Sequence, residues 1–590
     1  MWLGFLIGSF LTLVAVGLVF PICFNAANRK RKLGIFNLLC AGVFVSSFVM
    51  FLPIHLASVG GIQAFMLSIF NSVQLFAAGC EFAIVQDAVT EFAGELGGIY
   101  QTWASVLFFI APIFTFGFIL SIFNNLWSHA RYLLCFFRDV YIFSELNEKS
   151  LALAQSIKAK EPDAVIVFTD VFEDNDESTF EMMEAANGLR AICFKKDILV
   201  VNFGKHWSRK QLWFFAIGTN ETENLNQSLK LIERYRDRDN TRVFVFSTSI
   251  ESELLISSKD KGKVKVRRIN EVQSLINRVL YERGEILFKS AFVDSEGEKS
   301  ISAIVLGMGR HGTEMLKALS WFGQMDGYKL TINAFDTDPL AEEKFTALAP
   351  ELMSEDYNGV AVDGEARYLI NIHSGADVFT ASFAESLRRI SDASYVLVAL
   401  GDDETNVKAA VMLRMYFERM KIHPVIQAVV YNSQQKQALR GLKNFKGQEY
   451  DIEFIGDTDS SYTRDVIIDS ELEREALRRH MKWGAEEEFW NYEYNYRSSV
   501  ASAIHMRARV KCGIPGADKR EEELTPEERF GIESLEHRRW NAYMRAEGYV
   551  FSGSSDKSSR NDLGKMHHDL VDFASLTEEE KRKDSRVGTK

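Results

Sequence analysis

Three glycines, Gly307, Gly309 and Gly312, have a spacing in this 590-residue chain that suits a defined chemistry. They stand in ISAIVLGMGRHGTEMLKAL, where an apolar strand runs into G-x-G-x-x-G and then into a helix. Such glycines permit a tight turn and let backbone N–H groups approach a pyrophosphate. Asp336 ends the next strand, where an acid hydrogen-bonds a ribose diol. The pattern predicts a site for NAD or another adenine nucleotide, formed by Gly307, Gly309, Arg310, His311, Gly312 and Asp336.

A second candidate site lies near the C-terminus, in GIESLEHRRWNAYMRAEGYVFSG, residues 531–553. Arg538 and Arg539 offer planar donors for a phosphate, and Trp540 can stack on a base. Two competing interpretations stay open: Trp540 belongs to a core, and Glu536 simply pairs with Arg539 one turn away. Neighbouring residues on a helix point about 100° apart, so one of the two arginines is expected to face solvent.

Length and composition limit the functions that these residues can have. A chain of 590 residues predicts about three or four domains. The net charge of −12 argues against a nucleic-acid partner. The six cysteines form no CxxC pair, so neither a zinc site nor a disulfide framework is indicated. His567 and His568 lack acids or cysteines at ligand spacing, so no metal is predicted.

The first 132 residues are predicted to form a transmembrane domain. Spans are expected at about 2–24, 33–58 and 102–127, since a span needs about 20 apolar residues. The basic run NRKRK follows the first span and predicts a cytoplasmic loop. The N-terminus is then expected outside, and the C-terminal domains in the cytoplasm. The protein is predicted to be a multi-pass inner-membrane protein. Residues 61–97 are expected to form a re-entrant or interfacial helix. Its acids Asp87, Glu91 and Glu95 share one face and suit either an acidic pore mouth or a plain solvated surface.

Short apolar strands alternate with helices after Arg138, which predicts parallel α/β sheets. Two tandem Rossmann-like, doubly wound domains are expected, at 137–290 and 300–460. The first copy is degenerate, with Ser144, Glu145 and Asn147 where the glycines would stand. The stretches LWFFAIGTNETENLNQSLKL and YVLVALGDDETNVKAAVMLR echo each other, which indicates duplication.

Residues 137–460 resemble the RCK/KTN-type (TrkA-N-like) regulators of potassium channels and transporters. The resemblance rests on the glycine turn, the second-strand acid and the GDDETN turn. It implies domains that bind nucleotides or ions, pass a conformational change to a pore, and associate as a homo-oligomer, a dimer or a tetramer.

Residues 461–590 are predicted to form a helical linker and a mostly helical C-terminal domain. Its pieces resemble the RyR domain, first named for ryanodine receptors and also found in bacterial proteins. The matching pieces are the Trp490 to Ser499 helix, the Glu536 to Trp540 helix, EGYVFSG, the His567-His568-Asp569 segment and LTEEEKRKD. The resemblance implies recognition of a nucleotide-derived ligand, with Trp490, Arg497, His537, Arg538, Arg539, Trp540, Tyr549 and His567 as the candidate binding residues.

Together these patterns predict a membrane α-helical N-terminus, two α/β domains and a RyR domain. The function expected is a ligand-gated membrane effector or channel in antiviral defence, not an enzyme. Two alternatives stay open: a housekeeping cation channel or transport regulator gated by NAD(H) or ATP, and a membrane-bound enzyme that processes a nucleotide.

Overall fold

Four helices precede the first strand in the described part of this computed structural model. Their bounds are α1 Arg29–Ser58, α2 Gly61–Phe76, α3 Ala83–Phe92 and α4 Gly97–Leu133. Ala41–Ser58, within α1, is the one helical stretch among the described residues that is long and apolar enough to cross a membrane. Gly61–Phe76 and Gly97–Ile113 are apolar but shorter. One candidate membrane helix therefore stands where the second span was predicted.

The structure describes residues 29–92, 97–135, 137–171, 177–204, 210–293, 297, 299–362, 365–366 and 368–589. The span predicted at 2–24 and the acid Glu95 lie outside the described residues. The span predicted at 102–127 falls within α4, a helix of 37 residues.

Two details of the helical region differ from the expectation. The basic run Arg29–Lys32 lies within α1, because Lys and Arg are good helix formers and continue the helix beyond its apolar part. The single helix predicted over 61–97 is instead two, and Ala78 between them adopts a left-handed φ of 53°. Asp87 on α3 is exposed. The four helices share a core that includes Phe51, Leu75 and Leu107.

The described chain forms two compact units. The first contains the described parts of Met1–Leu146, Val165–Phe203 and Ser208–Lys210, and the second those of Asn147–Ala164, Gly204–Trp207 and Gln211–Lys590. The domain boundaries expected from the sequence stay predictions.

Two parallel sheets carry most of the strands. The strands of the first are β1 Val140–Phe143, β2 Val165–Phe168, β3 Ile192–Cys193, β4 Leu212–Ala216, β5 Thr241–Phe246 and β6 Lys265–Ile269. Those of the second are β7 Phe292–Val293, β8 Lys299–Leu306, β9 Tyr328–Asp336, β12 Leu369–Ser374, β13 Tyr395–Val398, β14 Val425–Val429 and β15 Ile452–Ile455, with β10 Ala361–Val362 and β11 Glu365–Ala366 as a separate ribbon. The strands form because short runs of Val, Ile and Phe are buried on both faces, as in sheets covered by helices.

Strand order confirms the prediction of parallel α/β sheets. The first sheet runs β3-β2-β1-β4-β5-β6 and the second β12-β9-β8-β13-β14-β15, with β7 pairing antiparallel to β8. Both have the 3-2-1-4-5-6 order of a doubly wound sheet, whose switch point lies between the first and fourth strands. In the second sheet that point lies between β8 and β13, directly beside the glycine turn.

Helices connect the strands, and after β15 the chain is mostly helical. Their bounds are α5 Glu148–Lys160, α6 Glu177–Gly188, α7 Glu221–Tyr235, α8 Ile250–Ser258, α9 Glu271–Arg283, α10 Glu285–Lys289, α11 Arg310–Phe322, α12 Ala341–Leu348, α13 Ala381–Arg388, α14 Asp403–Met420 and α15 Ser433–Ala438. After β15 follow α16 Thr458–Ser461, α17 Arg464–Ile467, α18 Glu471–His480, α19 Glu486–Asn491, α20 Glu493–Cys512, α21 Pro526–Ala546 and α22 Glu578–Gly588, with a short ribbon of β16 Val550–Phe551 and β17 Met566–His567.

The C-terminal helices pack on the second sheet's helix α11 within the second unit. Ile504 of α20 and Leu535 of α21 are fully buried in the same apolar cluster as Phe322 of α11. Trp321 meets the ring of Tyr543 edge to face at 6.1 Å between centroids. This shared core fixes the position of α21, which carries the basic-aromatic motif.

Candidate functional site

Helix α21 is defined by its first turn. Thr525 caps it by accepting from Glu528 N–H, Glu528 reaches back to the Thr525 N–H, and Pro526 occupies the first helical position. This capping box satisfies two backbone N–H groups at the start of the helix. Further along the helix Glu536, His537 and Arg539 are buried, whereas Arg538 and Trp540 are partly exposed.

A buried ion cluster lies under the motif. Glu536 accepts from Arg539 Nη2 at 2.7 Å and from Arg509 Nη2 of the neighbouring helix α20. Burial raises the pKa of Glu536, but Arg539 and Arg509 outweigh it and hold that pKa below its ordinary value. The expected pairing of Glu536 with Arg539 is therefore present, and it belongs to a larger cluster.

The cluster has more positive than negative charge. Nη1 of Arg539 and Nη1 of Arg509 are buried without a hydrogen-bond partner among the described residues. His505 contributes no charge, since its Nδ1 accepts from Arg509 Nε at 2.8 Å and burial holds its pKa well below the ordinary value. A buried donor without a partner costs about 1–3 kcal/mol. The cluster is thus poised for an additional acceptor.

A cavity of about 630 Å³ opens beside this cluster, and we call it the C-terminal cavity. Its volume is in the range of small-molecule sites, about 300–1,000 Å³. Its basic lining residues among those described are Arg479, Arg539, Lys557, Arg560, Lys583 and Arg586, and its acidic ones are Glu536, Asp569, Glu580 and Asp584. Burial raises the pKa values of Asp584 and Asp569.

Aromatic rings form another part of the wall. Trp540 stacks on His537 at 5.9 Å between centroids and meets His567 edge to face at 5.0 Å. Tyr494 of α20 also lines the cavity. Flat rings of this kind can pack on a nucleobase while the guanidinium groups contact phosphate.

The protonation of His567 follows from its contacts. Its Nδ1 accepts from the Asp569 N–H at 3.1 Å, and burial, with Arg560 and His568, lowers its pKa to about 3. A neutral ring whose Nδ1 is an acceptor carries its proton on Nε2. His567 therefore serves as a hydrogen-bond donor.

His567, His568 and Asp569 also place potential metal-ligand atoms within 4.8 Å of one another. The ring nitrogen of His567 that lacks a proton is already used by the backbone of Asp569. Lys557 and Arg560 line the same cavity and repel a cation. The N–H group of His567 and the two cationic side chains suit an anion better than a metal ion. That no metal binds here stays a prediction.

The structure brings together half of the residues predicted for this site. His537, Arg539, Trp540 and His567 line the C-terminal cavity. The other four are engaged elsewhere: Arg538 pairs with Asp326, Arg497 pairs with Glu547, Trp490 packs on Phe489, and Tyr549 packs on Tyr494.

Several lining residues were missed by the sequence analysis. Tyr494, Ser498 and Ser502 follow one another at four-residue spacing along α20 and share the face that lines the cavity. Trp490 stands four residues before Tyr494 and continues that spacing in the sequence, but in the structure it belongs to the separate helix α19. Lys557, Arg560 and Lys583 carry no pattern that distinguishes them from solvated lysines and arginines.

The glycine turn has the geometry expected of its three positions. A Cβ on Gly307 would meet Ala399 O at 2.4 Å, and Gly307 has a φ of +88°. A Cβ on Gly312 would meet Gly307 O at 1.7 Å, so helix and turn are in close contact. Gly309, at the N-terminus of α11, has no atom within 4 Å of such a Cβ among the described residues, so a ligand can approach its backbone.

Of the other residues of the predicted nucleotide site, Arg310 and His311 line a cavity with Gly309, whereas Asp336 does not line it. Asp336 accepts the N–H of Met308, and the N–H of Asp338 at 2.7 Å, so its carboxylate holds the turn itself. The Tyr431 hydroxyl lies 3.1 Å from His311 Nδ1, and burial, with the nearby Arg310, lowers the pKa of His311 to about 4. Arg310 extends toward Thr248 and Glu221.

Comparison with protein-family models and with curated proteins found no match for this chain. Fold and site therefore define its class by themselves. It is an α/β protein with two parallel sheets, an apolar helix long enough to cross a membrane, and a C-terminal cavity lined by Arg539, whose buried Nη1 has no hydrogen-bond partner among the described residues.

Proposed function

We propose that this chain is a membrane-anchored sensor whose C-terminal cavity binds a nucleotide-derived anion and thereby changes membrane permeability. The observation that carries the proposal is Arg539. Its buried Nη1 has no hydrogen-bond partner among the described residues. Arg539 lines the C-terminal cavity, and so does Trp540. A phosphate supplies the missing acceptor, and a base packs on the ring.

The proposal includes the assignments made from the sequence. The C-terminal region is a RyR-type ligand domain, the two sheets belong to RCK/TrkA-N-type Rossmann domains, and the protein is a homo-oligomeric, multi-pass inner-membrane protein acting in antiviral defence. Large apolar side chains on α2 and α4 support the membrane location, because Ile62 and Phe109 are 83% and 73% exposed. Transfer of such side chains from water into the apolar interior of a lipid bilayer is favourable.

Gating follows if the ligand prefers one of two arrangements of the protein. A ligand can shift an equilibrium only by its difference in affinity for the two states. Helix α20 is a candidate link, since it lines the C-terminal cavity through Ser498 and pairs through Glu493 with Arg268 of β6.

Arg539→Lys is expected to weaken ligand binding about tenfold to a hundredfold, the value of one hydrogen bond to a charged group. Lysine keeps the charge beside Glu536 but loses the planar fork that reaches a second acceptor. Isothermal titration with cyclic ADP-ribose, ADP-ribose and a cyclic dinucleotide measures the affinity.

The matched control is Arg538→Lys. Arg538 is the adjacent residue on the same helix, but it pairs with Asp326 outside the C-terminal cavity. Its replacement is expected to leave affinity unchanged. Equal losses in both variants would contradict the assignment, and turnover of a probe during the titration would favour the enzyme alternative.

Ligand is also expected to raise ion flux through liposomes that contain the full chain. The flux should depend on the probe that binds in titration and should be lost in Arg539→Lys but kept in Arg538→Lys. A stopped-flow assay with a cation-sensitive dye inside the vesicles measures it. Tight binding without any flux would leave a sensor that does not act on permeability, which contradicts the gating part of the proposal.

A further inference from the structure

Helix α20 presents hydroxyl groups to the C-terminal cavity. Ser498 and Ser502 line it and are four residues apart, so they share one face of the helix. Among the described residues neither side chain has a hydrogen-bond partner. Ser499 also lines the cavity, but its hydroxyl lies 3.3 Å from His480 Nδ1 and is already engaged. We call Ser498 and Ser502 the hydroxyl pair.

Other buried helical serines of this chain satisfy their hydroxyl groups internally. Ser47 and Ser228 each donate to the carbonyl oxygen one turn earlier, at 2.7 Å. Ser502 is nearly as inaccessible, with 4% of its surface exposed, but it makes no such bond within the described chain. A polar group that is buried without a partner is unfavourable. The partner of the Ser502 hydroxyl must therefore come from within the cavity.

The hydroxyl pair lies opposite the middle of helix α21. The two helices run antiparallel, because Tyr494 near the start of α20 donates to Met544 Sδ near the end of α21 at 3.6 Å, whereas Arg509 near the end of α20 pairs with Glu536. The hydroxyl pair lies between these two contacts on α20. The part of α21 between the same contacts carries the guanidinium group and the indole ring that are assigned above to phosphate and base.

We propose that the hydroxyl pair is a sugar subsite of the C-terminal cavity and that it selects ribonucleotides over 2′-deoxyribonucleotides. The inference rests on the proposed function and concerns a part of the ligand that Arg539 and Trp540 do not contact. In a nucleotide the sugar joins the phosphate to the base, so its hydroxyl groups lie between the two groups that these residues bind. Serine and ribose hydroxyl groups each donate and accept, so the two sets are complementary.

The charge of the α20 wall favours a sugar over a second phosphate. The residues of α20 that line the cavity are all uncharged: Tyr494, Asn495, Ser498, Ser499 and Ser502. A phosphate is bound most strongly by charged donors, and the cations of this cavity belong to other segments of the chain. A neutral wall of hydroxyl and amide groups suits the neutral part of the ligand.

Ser502→Ala is expected to lower the affinity for ribonucleotides about threefold to tenfold, the value of one neutral hydrogen bond. The probes are ADP-ribose and cyclic di-AMP, each compared with its 2′-deoxyadenosine analogue by isothermal titration of the full chain. The affinity for the deoxy analogues should stay unchanged, so the preference for ribose should fall. Alanine has the highest helix propensity and removes a hydroxyl that holds nothing else, so the unfolding temperature should not fall.

Three further variants separate the hydroxyl group from other effects. Ser498→Ala should lower the preference for ribose in the same way, whereas Ser498→Thr keeps a hydroxyl and should preserve it. Ser534→Ala is the matched control. Ser534 is a half-buried serine of helix α21 without a side-chain hydrogen bond among the described residues, but it does not line the cavity. Its replacement should leave both affinities unchanged.

Two results would overturn the sugar subsite alone. One is equal affinity of the unmodified chain for ribose and deoxyribose probes while Arg539→Lys still weakens both, which leaves the proposed function standing. The other is an equal loss of both kinds of probe in Ser502→Ala, which would mean that the hydroxyl pair contacts a different part of the ligand. If no probe binds at millimolar concentration, the proposed function fails and the sugar subsite fails with it.

Discussion

Glu536→Gln is expected to destabilise the C-terminal helices by about 3–5 kcal/mol, the cost of leaving buried charges without their partner. Glu536 is 2% exposed and contacts two guanidinium groups that are each 1% exposed, those of Arg509 and Arg539. Glutamine keeps the shape of the side chain and removes the charge. The two arginines would then repel each other in the core.

Hydrogen exchange of the α21 amides measures this loss of stability locally. A local measurement is needed because different parts of a chain can unfold separately. Exchange is expected to rise about a hundredfold or more, since each 1.4 kcal/mol is a factor of ten. Glu527→Gln is the control, because Glu527 lies on the first turn of the same helix and is exposed. If α21 exchanges equally in both variants, Glu536 does not hold the cluster together.

The same cluster predicts the sign of a pH dependence. The pKa of Glu536 in the folded chain is lower than its ordinary value of about 4.3. Its stabilisation is therefore complete above the ordinary pKa and is lost as the pH falls through the folded pKa. The acid sensitivity of α21 exchange should be weaker in Glu536→Gln than in the unmodified chain.

Gly312→Ala is expected to destabilise the second sheet region by about 3 kcal/mol or more, at the upper end of the cost of overpacking. The new Cβ would lie 1.7 Å from Gly307 O and 2.8 Å from Gly307 C. Both are backbone atoms of the turn, so relief requires moving α11 away from β8. Because α11 also packs against α20 and α21, the disturbance should reach the C-terminal helices.

The matched substitution is Gly309→Ala, three residues earlier in the same motif. Gly309 has a φ of −68°, and a Cβ there meets no described atom within 4 Å. Its cost should stay below about 1 kcal/mol, the typical difference between helix-cap residues. The unfolding temperature of each variant without added nucleotide measures the difference, and similar losses in both would show that the close contact at Gly312 is not what stabilises the turn.

Local patterns predicted the elements well where one face or one run of residues decides the structure. The apolar runs before Gly307 and Gly401 are buried strands of a parallel sheet, as expected. The second predicted span overlaps the candidate membrane helix Ala41–Ser58. Each of these predictions depends on residues that are neighbours in the chain.

The candidate sites were harder to predict, because they join residues far apart in sequence. Arg509 and Glu536 are 27 residues apart and belong to different helices, so no spacing rule indicates their ion pair. Asp336 has the residue type and position of a ribose ligand. Its carboxylate instead accepts the N–H of Met308 in the glycine turn.

By itself the sequence determined the kinds of element in this protein: apolar helices, repeated strand–helix units, a glycine turn and a basic-aromatic helix. Each follows from local propensity and from periodicity. Tertiary structure alone decided that Arg539 lines the C-terminal cavity and that the adjacent Arg538 pairs with Asp326. The physical reason is the rotation of α21, which is set by the packing of Leu535 and Tyr543 against the shared core and not by the motif.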